Sequence, residues 1–250
     1  MSGAFDRAAL ARAFAEIGVR RGEVLEVHSS LSSFGRVEGG AQTVIGALKD
    51  AVGSEGSIFM PALRLSPELP LTPSDKELGI TVKIKVLPEE RTRSAMGVIA
   101  DTFRMSADTV TGGGIMQISG WGKHAREAAA GGLDFAINNG GMALLLGVDI
   151  YKLTAMHYAE NIMPPEIGAV FAPSEQVNAL YPPDEWFIEC GAPPVKAWYT
   201  IQDMAYRKGL IREGYIGKCK YMFFNIGEVV AIYRNELEKR PFELYGLTKE

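Results

Sequence analysis

The apolar and polar residues of this chain recur with the periods of helices and strands, and residues 142–162 show the clearest succession. Residues 142–148 form an almost wholly apolar run that ends at Asp149, which is typical of a strand buried on both faces. A helix-length segment follows from about Tyr151 to Ile162. The pattern therefore predicts a buried strand that opens through a short loop into a helix.

The first 62 residues predict a helix, a strand, a second helix and a second strand. Leu10, Phe14 and Ile17 recur at spacings of four and three, which indicates a helix with one buried face. Apolar runs at residues 23–27 and 57–61 indicate strands on either side of the second helix. This order is typical of a parallel βαβ unit, so the sequence predicts an α/β fold.

Residues 64–90 interrupt this pattern with prolines, charges and short apolar stretches. Within them, residues 80–86 read ITVKIKV and alternate as an exposed or edge strand does. We interpret the segment as an insertion over the edge or mouth of the sheet. Since no shift in composition marks a domain boundary, residues 1–250 are expected to form a single domain with an insertion at about 64–90.

The rest of the chain predicts fewer regular elements. Residues 164–198 are rich in proline and aromatic side chains and are expected to be irregular. The remaining periodicity predicts helices at 95–105, from about 124 to 130, at 199–209 and at 227–238, with strands at 109–110 and 220–224.

Composition narrows the classes of partner. The net charge of -4 comes without long runs of either sign, so neither nucleic acid nor an anionic membrane surface is an expected partner. Two cysteines without a CxxC or Cys/His cluster argue against a disulfide framework and a structural zinc site, and no metal is expected. Charged residues interrupt the N-terminal apolar pattern, so a signal peptide is not indicated and a cytoplasmic location is expected.

His157 and Glu160 are the first candidates for chemistry, because a spacing of three places them on one face of the predicted helix, with Thr154 one turn earlier. A neutral imidazole is suited to accept a proton near pH 7, and a neighbouring carboxylate can orient it. His157 is therefore a candidate general base. A structural hydrogen-bonding role for this histidine is the alternative.

Residues 28–35 read HSSLSSFG and form a serine-rich loop between a predicted strand and a helix. Such a loop presents N–H groups and hydroxyls to an anion, so a phosphate-bearing cofactor is a natural occupant, although an ordinary loop is the alternative. His28 either lines such a site or is a buried histidine bonded to a backbone carbonyl. His124 is expected to be structural.

Taken together, several stretches resemble the aminoglycoside 3-N-acetyltransferase family, also called the antibiotic N-acetyltransferase family. Their order and spacing extend through most of the chain. The matching stretches are VHSSLSSFGRVEGGAQTVIGAL at 27–48, GSIFMP at 56–61, RSAMGVIADTFR at 93–104, WGKHA at 121–125, and LLLGVD with LTAMHYAE within 144–160.

The resemblance implies transfer of an acetyl group from acetyl-CoA to an amine of a small molecule, an aminoglycoside or a related compound. It also implies a layered α/β/α fold with a mostly parallel central sheet, unlike the GNAT fold of other acetyltransferases. Whether the chain forms a homodimer is left open by the sequence. By the family pattern the coenzyme would be held by the loop residues Ser29, Ser30, Leu31, Ser32, Ser33, Phe34 and Gly35.

The family pattern assigns the base to His157 and a carboxylate near the acceptor to Glu160. Hydroxyl or N–H groups of Ser29 to Ser33 and of Thr154 are candidates to stabilise the negative charge that develops on the acetyl carbonyl. Asp149 would orient the imidazole or hold an ammonium group of the acceptor, with a polar strand end as the equal alternative.

The chain departs from the family pattern at three places. Thr111 to Gly114 stands where an Arg-Ser-x-His-Pro-like stretch is usual, Leu153 replaces a usual Asn, and residues 64–90 do not match. Two other readings therefore stay open. One is a diverged member that binds CoA or another small molecule without transfer; the other is a serine hydrolase using Ser29 or Ser30, which the absence of a GxSxG motif disfavours.

Overall fold

The structure, a computed structural model, describes residues 4–249. Seven strands form the main sheet in the order β4-β5-β2-β1-β6-β9-β8, and β3 pairs with β7 in a second, two-stranded sheet. The strands are β1 (Val24–Ser29), β2 (Ser57–Pro61), β3 (Ile80–Lys85), β4 (Val110–Thr111), β5 (Ile118–Gly122), β6 (Met142–Leu146), β7 (Trp186–Cys190), β8 (Arg212–Ile216) and β9 (Cys219–Asn225).

Eleven α-helices and four 3₁₀ helices accompany these strands within the described residues. None of the helices in residues 4–249 combines the length and the apolar character needed to cross a membrane. The α-helices are α1 (Arg7–Ile17), α2 (Ala41–Val52), α3 (Pro73–Glu77), α4 (Val98–Arg104), α5 (Ala125–Gly131), α6 (Asp134–Asn138), α7 (Pro165–Gly168), α8 (Glu175–Leu180), α9 (Ala197–Arg207), α10 (Ile226–Lys239) and α11 (Pro241–Leu244), and the 3₁₀ helices are Leu31–Phe34, Ile150–Lys152, Thr154–Tyr158 and Glu160–Ile162.

Parallel pairing is concentrated at the centre of the main sheet. β1 lies parallel to both β2 and β6, whereas the pairings on either side are antiparallel. Helices cover both faces, so the predicted layered α/β architecture is confirmed. Because β1, β2 and β6 run in the same direction, their carboxyl ends open at one edge of the sheet, and ligand sites of α/β proteins lie at such edges.

Alternation along the central strands divides the core between the two faces. Leu144 and Leu146 face a cluster built with α1, α2 and α4, while Ala143 and Leu145 face a cluster built with α5, α6, α9 and α10. All four residues are fully buried. Burial on both faces explains why β6 reads as a continuous apolar run rather than an alternating one.

The segment 64–90 contributes β3 and packs as a small sheet with β7. Asp75 is buried beside this sheet, where its carboxylate accepts hydrogen bonds from Tyr181 Oη at 2.6 Å and from Lys83 Nζ at 3.0 Å. Tyr181 above all, and the Thr72 N–H, hold the pKa of Asp75 well below its usual range. A polar cluster thus fixes the small sheet, which has few apolar residues of its own.

Several predicted boundaries differ from the structure. The helix predicted from about Tyr151 to Ile162 is a succession of three 3₁₀ helices, because Leu153 has an extended backbone and breaks α-helical hydrogen bonding after Lys152. The helix predicted at 95–105 begins at Val98, since Ser94 bonds to Asp101 and Gly97 occupies the N-cap. Residues 164–198, expected to be irregular, contain α7, α8 and β7.

Candidate functional site

A cavity of about 730 Å³ lies at the carboxyl ends of β1, β2 and β6. The serine-rich loop forms one wall, the 3₁₀ segment with Thr154 and His157 forms a second, and the start of α4 forms a third. Leu65 and Ile84 of the segment 64–90 also line it, so this segment reaches the cavity. The volume is in the range of small-molecule sites.

His157 is the first candidate functional side chain of this cavity. It lies in the 3₁₀ helix Thr154–Tyr158, which follows β6, and its side chain is 54% exposed. Its Nδ1 lies 2.7 Å from Glu160 Oε2, and the Trp198 indole packs against the ring in an edge-to-face arrangement at a centroid distance of 4.8 Å. The ring is thus held from two sides but remains open to the cavity.

Glu160 is held more firmly than His157. Its side chain is 23% exposed, and its Oε1 accepts hydrogen bonds from Trp198 Nε1 at 2.9 Å and from Tyr233 Oη at 3.0 Å. Burial raises the pKa of Glu160, but the hydrogen bond and charge of His157, helped by Trp198 and Tyr233, outweigh it, so the pKa is lowered. Glu160 is therefore a carboxylate at neutral pH.

This contact determines how protons are placed on the imidazole. A carboxylate can only accept, so Nδ1 of His157 carries a proton and donates it to Glu160. In the neutral ring, Nε2 then has a free lone pair. With His157 lining the cavity, this arrangement is suited to accept a proton from a bound molecule.

Only part of the predicted coenzyme loop lines the cavity. Ser29, Ser30, Leu31, Ser32 and Gly35 line the cavity. Phe34 instead is buried in the core with α1 and α2.

Ser33 also turns away from this cavity. Its Oγ donates to the Ser30 carbonyl at 2.7 Å and lies 3.0 Å from Cys219 Sγ. The side chains of Ser33 and Phe34 therefore do not line this cavity. They pack on the opposite side of the loop and stabilise its shape.

Asp149 does not contact His157. Its carboxylate accepts from the Tyr151 N–H at 2.9 Å and from Tyr199 Oη at 3.0 Å, and it caps the first 3₁₀ helix after β6. It lines a second cavity of about 840 Å³ together with Ser33. The carboxylate that orients the imidazole in this structure is Glu160. The contacts of Asp149 are those of a polar residue at a strand end, which was the alternative prediction for it.

Thr154 lines the main cavity at the start of the 3₁₀ helix that carries His157. Its N–H lies 3.3 Å from Nε2 of His28, which also lines the cavity. The other ring contact of His28 is to Glu26 rather than to a backbone carbonyl, at 2.7 Å. Of the two readings of His28, the structure supports the one that places it in the site.

Two of the three departures from the family pattern lie outside the lining of the cavity. Gly112, Gly113 and Gly114 do not contribute to its wall, and Leu153 is buried in the core. The lining is largely apolar, and within the described part of the chain Lys152 is its one side chain of fixed charge. Among residues 4–249, no three His, Cys, Asp or Glu side chains are grouped to hold a metal ion.

Trp198 and Tyr233 belong to the candidate site, although the sequence did not indicate them. They come from α9 and α10, far along the chain, and both donate to Glu160. Tyr233 lies on the apolar face of α10, so the periodicity of this helix indicates only a core residue. It gives no indication that the hydroxyl has a specific partner. A buried tyrosine usually finds a hydrogen-bond partner, and that rule is the one signal available from the sequence.

Glu26 was also missed, although the sequence carries a signal for it. The strand reads VLEVHS, and a glutamate inside a buried strand requires a partner. Residues two apart in a strand share a face, so this spacing alone makes His28 a candidate partner of Glu26.

Comparison with known proteins gives one family. The family model described as aminoglycoside 3-N-acetyltransferase matches residues 27–238. An aminoglycoside N(3)-acetyltransferase III from a Salmonella species is 27% identical over 93% of this chain and 91% of its own length. The similarity thus spans nearly the whole of both proteins.

Solved structures share the fold at lower identity. AAC-IIIb in a binary complex with CoASH superposes with a TM-score of 0.69 at 22% identity, over 95% of this chain and 98% of that chain. A variant of AAC(3)-IVa in complex with apramycin gives a TM-score of 0.70 at 20% identity, over 96% of this chain and 95% of that chain. These neighbours support the fold predicted from the sequence.

Proposed function

Since this chain belongs to the aminoglycoside 3-N-acetyltransferase family of acyltransferases, we propose that it transfers an acetyl group from acetyl-CoA to an amine of an aminoglycoside or a related small molecule. His157 is the general base. The observation that carries the proposal is the His157 imidazole, oriented by Glu160 and open to the cavity that the serine-rich loop also lines.

The chemistry of the acceptor requires such a base. An ammonium group has no lone pair, so a proton must leave before the nitrogen can attack a thioester. Nε2 of His157 accepts that proton, and Glu160 stabilises the imidazolium that results because it is a carboxylate 2.7 Å away. Trp198 and Tyr233 hold Glu160 in place, so the orientation of the base does not depend on the ligand.

The residues of the cavity suit the coenzyme. Acetyl-CoA supplies the activated acetyl group and brings a long, largely apolar arm with amide groups. Ser29, Ser30 and Ser32 offer hydroxyl groups along one wall, and Met96 and Val98 offer apolar surface along another. Hydroxyl and N–H groups of the loop and of Thr154 are our candidates to stabilise negative charge on the acetyl oxygen.

The lining of the cavity favours a particular kind of acceptor. An aminoglycoside carries several ammonium groups, and burying each one without a carboxylate is unfavourable. Glu160 lies behind His157, and Glu189 of β7, whose pKa is raised by burial and whose charge interacts with His157, is not part of the lining. An acceptor with one amine on an apolar body is therefore our second candidate.

A panel of acceptors tests the proposal. Release of CoA thiol from acetyl-CoA would be followed with aminoglycosides, with arylalkyl monoamines and with no acceptor. Turnover with any amine above the background supports acetyl transfer, and the preferred amine decides between the two kinds of acceptor. Binding of CoA without turnover of any amine in the panel would contradict transfer and favour the diverged member that only binds.

A further inference from the structure

The buried pair of Glu26 and His28 forms a second histidine–carboxylate unit in the molecule. Glu26 is completely buried, and its Oε1 lies 2.7 Å from His28 Nε2. The Ala155 N–H also donates to Oε1 at 3.2 Å, while Oε2 is buried with no hydrogen-bond partner among the described residues. His28 is 9% exposed and reaches the cavity.

Hydrogen bonds limit where the protons of this pair lie. The Thr154 N–H donates to Nε2 of His28 at 3.3 Å, so Nε2 accepts and the ring proton is on Nδ1. Glu26 Oε1 lies 2.7 Å from the same Nε2, a contact in which the two atoms share a second proton. In this arrangement Nδ1 of His28 is a donor.

The position of His28 gives this donor a use. It directly precedes the serine-rich loop, and its Nε2 lies 3.3 Å from the N–H of Thr154, three residues before His157. His28 lines the same cavity as the loop and His157, where the thioester and the amine are proposed to meet. We propose that His28, with Glu26 as its positioning residue, protonates the sulfur that leaves during acetyl transfer; this rests on the function proposed above.

The step balances in atoms and charge. His157 first passes the proton of the ammonium group to water. The amine lone pair then forms the N–C bond, the C–S bond breaks, and its electron pair goes to sulfur. Sulfur takes the Nδ1 proton of His28, and His157 takes the second proton that the nitrogen loses. His28 is left neutral with its proton on Nε2, which donates to the Glu26 carboxylate, and water returns the proton between turnovers.

The proton on Nδ1 is measurable without any ligand. With three histidines in the chain, the ring nitrogens of ¹⁵N-labelled protein are assignable from His124→Gln and His157→Gln variants. We expect His28 to carry a proton on Nδ1 at neutral pH. In Glu26→Gln, the amide oxygen stays at Ala155 N–H and can only accept, so the proton is expected on Nε2 alone. A wild-type His28 without a proton on Nδ1 would overturn the proposal.

The leaving group provides the second test. His28→Gln is expected to lower kcat with acetyl-CoA by about 10²-fold, with His124→Gln as the matched control. With the selenium analogue of acetyl-CoA, whose selenol needs no proton to leave, the loss should shrink at least tenfold. An equal loss with both donors would refute the acid role, whereas absence of turnover by the wild-type protein with every amine would refute the proposed function instead.

Discussion

Among single residues, Glu160 determines which nitrogen of His157 carries the proton. The carboxylate accepts from Nδ1, from Trp198 and from Tyr233, and these three contacts use both of its oxygens. A side chain of the same shape with a donor in place of one oxygen would reverse this arrangement. A substitution of Glu160 can therefore change which nitrogen of His157 carries the proton while the imidazole itself stays in place.

We expect Glu160→Gln to lower kcat by at least about 10²-fold, because the amide N–H would donate to Nδ1 and leave the ring proton on Nε2. The KM for acetyl-CoA should stay within about threefold of wild type, since Glu160 does not line the cavity. Steady-state kinetics would measure both. A variant with unchanged kcat would show that the orientation of His157 does not matter.

The sequence predicted the contact of His157 with Glu160 and the place of most of the serine-rich loop beside His157, because these residues fall on local motifs. It did not identify Trp198 and Tyr233, since tertiary packing of α9 and α10 brings them to Glu160 and no local pattern records it. Asp149 was chosen for its place after β6, yet backbone geometry directs its carboxylate to Tyr151 and Tyr199. The position of a residue along the chain thus predicted whether it lies near the site better than it predicted where its side chain points.

At the scale of elements, β6 connects the core to the site. Leu145 is fully buried and belongs to the same cluster as Ala155 and Met156, which lie in the 3₁₀ helix that carries His157. The 3₁₀ segment has few hydrogen bonds of its own, so packing in this core cluster, which also includes α10, holds it. A cavity beneath this segment should make the position of His157 less fixed and should also lower the stability of the fold.

Leu145→Ala is expected to lower the free energy of unfolding by about 2–5 kcal/mol, because it removes buried methyl groups and leaves a void. Urea denaturation would measure the change. Leu180→Ala is the matched control: this side chain is 58% exposed in α8 and should change stability by less than about 0.5 kcal/mol. Similar losses in the two variants would contradict the packing described for β6.

Asp75 carries the pH dependence of the small sheet of β3 and β7. Its pKa is lowered in the folded protein, so the stabilisation it provides is complete above the unfolded pKa near 3.8 and is lost as the pH falls further. Asp75→Asn should lower stability at pH 7 by about 1–3 kcal/mol, since Lys83 loses its ion pair and one of the two acceptor oxygens becomes a donating NH2 group.

Thermal unfolding at pH 7 and at pH 3 would measure this effect. The difference between wild type and Asp75→Asn should shrink at the lower pH, and the exposed Asp184→Asn should match wild type at both. A difference that is independent of pH would show that the carboxylate form of Asp75 does not stabilise the small sheet.

At the scale of the whole molecule, the sequence predicted the layered fold but not the small sheet. The first βαβ unit is local, so periodicity was sufficient for it. β3 pairs with β7 across about a hundred residues, and β9 joins the sheet by pairing with β6, about eighty residues earlier. Both pairings depend on contacts distant in sequence. The 3₁₀ path of residues 150–162 was likewise set by packing.

The most direct measurement is the acetylation rate of His157→Gln beside His124→Gln with acetyl-CoA and the preferred amine of the panel. The account predicts a fall in kcat/KM of about 10²-fold or more for His157→Gln and no change for His124→Gln, whose ring stacks on Phe135 outside the cavity. A His157→Gln protein that folds normally and acetylates within about fivefold of wild type would contradict it.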